Sequence, residues 1–281
     1  MSSIATVPER VDVSRYDGKD TLIGLIRKEY RAAFTMLVEA SDSEWHAQTP
    51  CELWEVRDIA GHLLDVATGY LGYFSQGEHG WPVEEPAGVR GYGEDLGKSA
   101  LAHRDLYRWE LLGRLDAVTT QLFRFFEELT PEEWSGRLVP HRYAGPLPAF
   151  MMAVFQLVDY TVHAWDLRKA LGRGETVDEE AADVLVPYLF GVSQICFSPE
   201  RAGGLDLTVG VHLTTPREEH WTVRIADGAF TFEPGRPETA DVTLSLAVDQ
   251  LALHVLQRSH EGTVTGDPAT IERISSLFFT L

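Results

Sequence analysis

Residues 147–172, with the sequence LPAFMMAVFQLVDYTVHAWDLRKALG, contain the most apolar helical pattern in the chain. This pattern predicts a helix from Leu147 to Leu171 that ends at Gly172, because glycine favours the backbone conformation that closes a helix. Three earlier segments have apolar residues at the same helical spacing. They are Thr21–Ala40, Arg57–Ser75 and Ala100–Leu129. Four long helices of this kind are the elements of a four-helix bundle.

A segment rich in glycine and proline, Gly77–Gly97, separates the second and third of these helices. It is too long for a tight connection between helices, and loops of this length are often lids or binding loops. The segment therefore predicts a lid or a loop that shapes a pocket.

The sequence changes character after Gly172. One more helix is predicted over Asp178–Cys196, and short runs with apolar residues at alternate positions follow it, each bounded by turn residues. These runs are LDLTVGVHL, HWTVRIA, GAFTFE and DVTLSLAV, and two helical stretches, Asp249–Gln257 and Pro268–Leu277, come after them. Helices beside an antiparallel sheet indicate an α+β fold class. We predict two domains, a four-helix bundle over residues 1–175 and an α+β domain over residues 176–281.

The protein is acidic, with 43 Asp and Glu against 24 Lys and Arg and a formal net charge of −19. This balance disfavours a nucleic-acid partner or an anionic membrane surface, because both need a basic face. The N-terminal sequence lacks the apolar core of a signal peptide, and no uncharged run is long enough to span a bilayer. Two cysteines are too few for a disulfide framework. We expect a soluble cytoplasmic protein, and no sequence feature indicates its oligomeric state.

Asp159 and His163 are the first candidates for chemistry. They lie four residues apart on a helix and so share one face, where a carboxylate and an imidazole can bind one metal ion. His62, in the segment Thr49–Leu63 (TPCELWEVRDIAGHL), can supply a third ligand from a second helix. Three protein ligands would leave one position of the metal open to water or substrate. The alternative is an ordinary hydrogen-bonded Asp–His pair together with a structural histidine.

Four neighbouring residues have two interpretations each. Cys51 is either a nucleophile near a helix N-terminus or a small buried apolar residue, and we favour the second. Asp166 either orients His163 through a hydrogen bond or pairs with a basic side chain. Trp54 and Trp165 either line a pocket or pack in the core. Motifs of nucleotide-binding proteins, zinc proteases and serine hydrolases are absent from the sequence.

The segments TPCELWEVRDIAGHL and DYTVHAWDLRKALG together resemble the mycothiol-dependent maleylpyruvate isomerase family of the DinB-like superfamily. The order of the two segments, the spacing within them and their helical setting match the family pattern. The C-terminal sequence, ADVTLSLAVDQLALHVLQRSHEGTVTGDPATIERISSLF, resembles the sterol-carrier-like domain that follows the bundle in many members. The resemblance implies a DinB-like four-helix bundle followed by a sterol-carrier-like α+β domain.

In that family a His, a Glu and a His hold a divalent metal ion, usually taken as zinc. Matched by motif position, the resemblance implies that His62, Asp159 and His163 are the ligands here. This sequence differs from the family pattern at the carboxylate ligand, because Asp159 is shorter by one methylene group than the Glu of the isomerase. The ion would sit deeper, or a water molecule would replace the direct bond. Trp54 and Trp165 are then the candidate residues for binding mycothiol, the thiol cofactor.

The resemblance also implies a reaction in which the metal ion deprotonates the thiol of mycothiol. In the isomerase this thiolate would add to the cis double bond of maleylpyruvate, and rotation followed by elimination would give fumarylpyruvate. The protein would be an S-transferase if the thiolate instead opened an epoxide or displaced a leaving group. Arg258 matches an arginine that often precedes a Gly-Asp motif in the C-terminal domain, where it would clamp a substrate carboxylate or form a surface ion pair. The alternatives are a non-catalytic protein that binds a small molecule or lipid, and a metal-dependent hydrolase that needs no thiol.

Overall fold

The computed structural model of the protein describes residues 9–79 and 92–279. These residues form two compact units, one running from Val11 to Val184 and the other from Leu185 onward, together with Arg10. The division lies inside a helix, past the boundary after residue 175 that the sequence predicts. No helix in the described ranges is both long enough and apolar enough to cross a lipid bilayer.

The first unit is helical. Its helices are α1 (Lys19–Glu39), α2 (Asp42–Trp45), α3 (Val56–His79), α4 (Tyr92–Leu101), α5 (Arg108–Glu128), α6 (Pro131–Gly136), α7 (Ala149–Ala170) and the beginning of α8 (Glu179–Cys196). Helix α1 packs along α7 and α3 packs along α5, while α7 also contacts α3. Fifteen of the 22 residues of α7 are buried, so this helix has neighbours on nearly all sides, as its apolar sequence requires.

Polar side chains fix the ends of several helices. Ser41 and Thr130 each form a capping box, with Glu44 and Glu133 respectively, at the start of α2 and α6. Lys19 is buried, and its ammonium group donates hydrogen bonds to the carbonyl oxygens of Glu127 and Leu129, at 2.7 and 2.6 Å. These two carbonyls lie at the C-terminal end of α5, where a cation also offsets the negative end of the helix dipole.

The second unit is built on a five-stranded sheet. After the rest of α8 come α9 (Pro199–Ala202), β3 (Asp206–Leu213), β4 (Glu219–Ala226), β5 (Ala229–Pro234), β6 (Val242–Leu246), α10 (Val248–Val255), β7 (Thr263–Gly266) and α11 (Pro268–Ser275). The strand labels continue from β1 (Leu138–His141) and β2 (Gly145–Pro148), which form a hairpin in the first unit. The strand order in the sheet is β5-β4-β3-β6-β7. Alternate residues of β4 and β6 are buried, and Phe190 of α8 packs against Trp221 and Phe232.

The predicted fold class is confirmed, with a helical N-terminal part and a C-terminal part built on a sheet. The sheet is antiparallel, as predicted, at three of its four strand pairings, but β6 pairs with β3 in the parallel direction after a β3-β4-β5 meander. The prediction of one helix over Ala100–Leu129 is wrong, because α4 ends at Leu101 and α5 begins at Arg108. The ends of the predicted loop, Gly77–Gly97, are helical in α3 and α4, and its middle, residues 80–91, lies outside the described residues.

Candidate metal centre

Three of the predicted site residues lie together inside the first unit. His62 on α3 and Asp159 and His163 on α7 each offer one ligand atom, and these atoms lie within 4.8 Å of one another. The spacing of four residues places Asp159 and His163 on one face of α7, and the contact of α3 with α7 brings His62 to that face. His62 Nε2 lies 3.9 Å from Asp159 Oδ1, and the His62 and His163 rings meet edge to face at 4.8 Å between centres.

His62 is buried without the hydrogen bonds that its ring requires. Its side chain is 2% exposed, and neither ring nitrogen has a hydrogen-bond partner among the described residues. Leaving a buried polar group unpaired costs about 1–3 kcal/mol. A divalent ion at this position would take the lone pair of one nitrogen. The unpaired imidazole and the two nearby donor groups therefore fit a metal ion.

Asp166 holds His163 in the form that a metal ligand needs. The two side chains are buried, and His163 Nδ1 lies 2.9 Å from Asp166 Oδ2, which can accept a hydrogen bond from the Nδ1–H group. The lone pair is then on Nε2, and a carboxylate behind a ligating histidine is the usual arrangement at such sites. Burial lowers the pKa of His163, although the hydrogen bond to Asp166 opposes this effect, and a neutral imidazole is the form that binds a metal. The Cys51 thiol donates to the same Asp166 oxygen at 3.2 Å, so this half-buried cysteine has a polar contact that the interpretation as an apolar residue does not include.

The two candidate tryptophans lie in different surroundings. Trp54 is 9% exposed, and its ring centre lies 4.8 Å from that of His62 and 5.7 Å from that of His163. It therefore covers both histidines. The described contacts of Trp165 lie elsewhere: its Nε1 donates to the Glu175 carbonyl at 2.9 Å, and Lys169 Nζ lies 4.8 Å from its ring centre.

Arg258 belongs to the second unit and lies three residues after the end of α10. Its Nη1 donates to the carbonyl oxygen of Leu256 at 2.9 Å. Its role as a clamp for a substrate carboxylate stays a prediction.

Two further buried polar side chains of the first unit, on α7 and β1, were missed by the prediction from sequence. Gln156 is fully buried on α7, and both polar atoms of its amide lack a hydrogen-bond partner in the described part of the chain. It lies seven residues before His163, two helical turns away on the same face, so helical periodicity could have identified it.

The second missed residue, His141, is on β1. Burial lowers its pKa to about 4, with the charge of Asp159 opposing the shift. Its Nδ1 accepts hydrogen bonds from the backbone N–H groups of Tyr143 and Ala144, at 3.3 and 3.2 Å. The ring is therefore neutral near pH 7, with its proton on Nε2. No periodic signal indicates His141, because the sequence around it does not predict the β1–β2 hairpin.

Comparisons with known proteins show the family and the fold of the chain. A family model described as the mycothiol maleylpyruvate isomerase N-terminal domain matches residues 27–168, a range that contains His62, Asp159 and His163. A crystal structure of the mycothiol-dependent maleylpyruvate isomerase is 16% identical with a TM-score of 0.60, over 94% of this chain and 96% of that chain. A histidine-to-alanine mutant of the mycothiol-dependent maleylpyruvate isomerase is 15% identical with a TM-score of 0.59, over the same shares of the two chains. At these identities the structural likeness establishes the fold, and no curated protein matches the sequence.

Proposed function

Because the chain belongs to the family of the mycothiol maleylpyruvate isomerase N-terminal domain, we propose that it is an enzyme that depends on a divalent metal ion and on mycothiol. Its reaction is the isomerisation of a small electrophilic substrate, as in maleylpyruvate isomerase, or the transfer of the thiol to such a substrate. The observation that carries the proposal is the buried cluster of His62, Asp159 and His163, in which both ring nitrogens of His62 lack a described partner.

The donor set supports a zinc-type ion. Two imidazole nitrogens and one carboxylate oxygen are ligands that Zn²⁺ accepts, and three protein ligands are typical of sites that keep a position open for another molecule. When bound, such an ion supplies the positive charge that lowers the pKa of a coordinating thiol. Asp159 has the shorter of the two acidic side chains, so its oxygen reaches less far from α7 than a glutamate oxygen would.

The residues around the cluster orient the ligands and exclude water. Asp166 keeps a proton on His163 Nδ1, which leaves the lone pair of Nε2 available to a metal ion. Trp54 covers both imidazole rings and keeps bulk water away from them. His141 stays neutral near pH 7 and so places no positive charge beside Asp159.

The two cysteines of the chain do not provide a reactive thiol in this proposal. Cys51 shares its S–H proton with Asp166. Cys196 is buried, and burial raises the pKa of its thiol to about 12, so it is protonated near neutral pH. A thiolate nucleophile is therefore expected from the cofactor rather than from the protein.

Metal content and thiol dependence test the proposal. The purified protein should contain about one equivalent of zinc in the bundle, and His62→Ala and His163→Ala should each remove it. His46→Ala is a matched control, because His46 is in the same unit but is 55% exposed and pairs with Glu55. Far-UV circular dichroism of all variants verifies that they are folded.

Turnover should be measured on maleylpyruvate and on panels of epoxides and alkyl halides, with and without mycothiol. Product formation that requires both mycothiol and the metal supports the proposal. Equal turnover without mycothiol would contradict thiol dependence and indicate a hydrolase. A folded protein that binds no metal but does bind an acyl ligand would contradict the enzyme proposal altogether.

A further inference from the structure

We propose that the second unit contains a separate binding site for a divalent transition-metal ion, formed by His212, Glu218 and His220. One ligand atom from each of these side chains lies within 4.8 Å of the other two. The site lies on the β3–β4 hairpin and shares no residue with the candidate centre in the bundle.

The register of the hairpin brings the two histidines together. His212 on β3 pairs directly with His220 on β4, so their side chains extend from the same face of the sheet. Their rings stack with 4.5 Å between centres and 16° between planes. Glu218 lies immediately before β4, at the turn that joins the two strands. Its Oε1 is 3.4 Å from His212 Nε2 and 3.9 Å from His220 Nε2.

These distances are close to those between the ligands of one metal ion. Zinc lies about 2.0–2.2 Å from imidazole nitrogens and carboxylate oxygens, so two ligands of a tetrahedral ion are roughly 3.3–3.5 Å apart. The first distance fits this range, and the second exceeds it by a few tenths of an ångström. The Glu218 side chain is 74% exposed and can make up the difference by a small rotation. The planes of the two rings are nearly parallel, so one imidazole must also turn for both nitrogen lone pairs to converge on one ion.

A third strand orients His212 for coordination. The parallel pairing of β3 with β6 places His212 beside Ser245. The Ser245 Oγ lies 3.1 Å from His212 Nδ1 and can accept a hydrogen bond from the Nδ1–H group. The lone pair then lies on His212 Nε2, the atom nearest to Glu218. This Nε2 is buried and has no hydrogen-bond partner in the described ranges. At known metal sites, a hydrogen-bond acceptor on the second ring nitrogen orients the ligating histidine, and Ser245 would do the same for His212.

The chemistry of the site indicates which ions would bind. Two imidazole nitrogens with one carboxylate oxygen suit Zn²⁺, Ni²⁺ and Cu²⁺, whereas Mg²⁺ and Ca²⁺ prefer oxygen ligands alone. A shared metal ion would hold the hairpin turn to both strands.

The test separates this site from the one in the bundle. The background is the double variant His62→Ala/His163→Ala, in which the candidate centre is removed. Titration of this variant with ZnCl₂ against a chromophoric chelator should show one remaining equivalent of zinc. Adding His212→Ala or His220→Ala should then weaken zinc binding by about 100-fold or more, since even a residue behind a ligand contributes about 10–100-fold.

Further variants provide a graded response and a matched control. Ser245→Ala should weaken zinc binding by about tenfold, because it removes only the group behind His212. His260→Ala should leave it unchanged, since His260 is an exposed histidine of the same unit outside the proposed site. The zinc content of the unmodified protein should be two equivalents if both sites bind. This measurement does not depend on whether any variant folds.

Two results would overturn the proposal. One is a folded double variant that binds no zinc. The other is zinc affinity in that variant that does not change with His212→Ala. If the double variant does not fold, the unmodified protein and His212→Gln are compared instead. The proposal is wrong if the unmodified protein binds one equivalent of zinc and His212→Gln still binds that equivalent.

Discussion

Replacement of Glu29 by glutamine should remove a pH dependence from the stability of the helical unit. Glu29 lies on α1, is 2% exposed, and has one carboxylate oxygen without a hydrogen-bond partner among the described residues. Burial, with the charge of Asp178, raises its pKa from the ordinary 4.5 to about 7, against the opposing charges of Arg168 and Lys28. The folded protein therefore retains a proton on Glu29 at a pH where the unfolded chain has released it.

The sign and size of the effect follow from this difference in protonation. Between pH 4.5 and 7 the folded state binds more protons than the unfolded state, so the free energy of unfolding falls as the pH rises. The rise in pKa corresponds to about 3.4 kcal/mol at about 1.36 kcal/mol per pKa unit. The stabilisation is complete below pH 4.5 and is lost as the pH rises through 7. Roughly 2.5 kcal/mol of it should disappear between about pH 5 and pH 8.

Urea unfolding at pH 5 and pH 8 measures this loss. The unmodified protein should lose about 2.5 kcal/mol more than Glu29→Gln does, because all other titrating groups are common to both proteins. Glu180→Gln is the matched control, since Glu180 is 66% exposed and lies near the same lysine, Lys28. It should retain the pH dependence of the unmodified protein. If Glu29→Gln and the unmodified protein change in parallel from pH 5 to pH 8, the assignment of the buried proton to Glu29 is wrong.

Three other predictions concern single side chains of the first unit. Asp166→Asn should weaken zinc binding in the bundle by about 10–100-fold in a chelator competition, whereas Cys51→Ala, which removes only a thiol donor, should change it by less than about threefold. If the two variants bind zinc equally well, Asp166 does not orient His163. The ring of His141, with a pKa of about 4, should show no titration in its NMR chemical shifts above pH 5, and a midpoint near 6.5 would contradict its burial. Asp58→Asn should lower the free energy of unfolding in urea by about 1.5–3 kcal/mol, because Asp58 is 1% exposed and accepts two hydrogen bonds from a guanidinium group; an unchanged midpoint would show that this pair contributes nothing.

The sequence predicted the helices of the bundle because each one buries a stripe of apolar residues at helical spacing. The same periodicity placed Asp159 and His163 on one face of α7. Spacing alone left His62, which lies on another helix, as one possible third ligand, and the family resemblance implied the full set of three. Gln156 was within reach of the same argument, whereas His141 was not, because a hairpin of two short strands with three prolines has no periodic pattern.

The sheet shows a different limit of sequence reasoning. Alternating apolar residues predicted β3, β4, β5 and β6 and the faces they bury, but they carry no information about which strands are neighbours. The parallel pairing of β3 with β6 and the all-exposed strand β7 were therefore missed. His212 and His220 could be recognised as a pair only after the register of the hairpin was known.

The contact of Lys19 with the end of α5 has a consequence for synthesis on the ribosome. Its ammonium group is bound by carbonyl oxygens that lie 108 and 110 residues further along the chain. At about 5–20 residues per second, these acceptors are made roughly 5–20 s after Lys19. Until then the start of α1 has no partner for a buried charge, so α1 cannot settle into its final place as it emerges. The Trp134 indole, which donates to the Val13 carbonyl across 121 residues at 3.0 Å, completes the same late connection. Docking of the N-terminal helix should therefore be among the last steps in the co-translational assembly of the bundle.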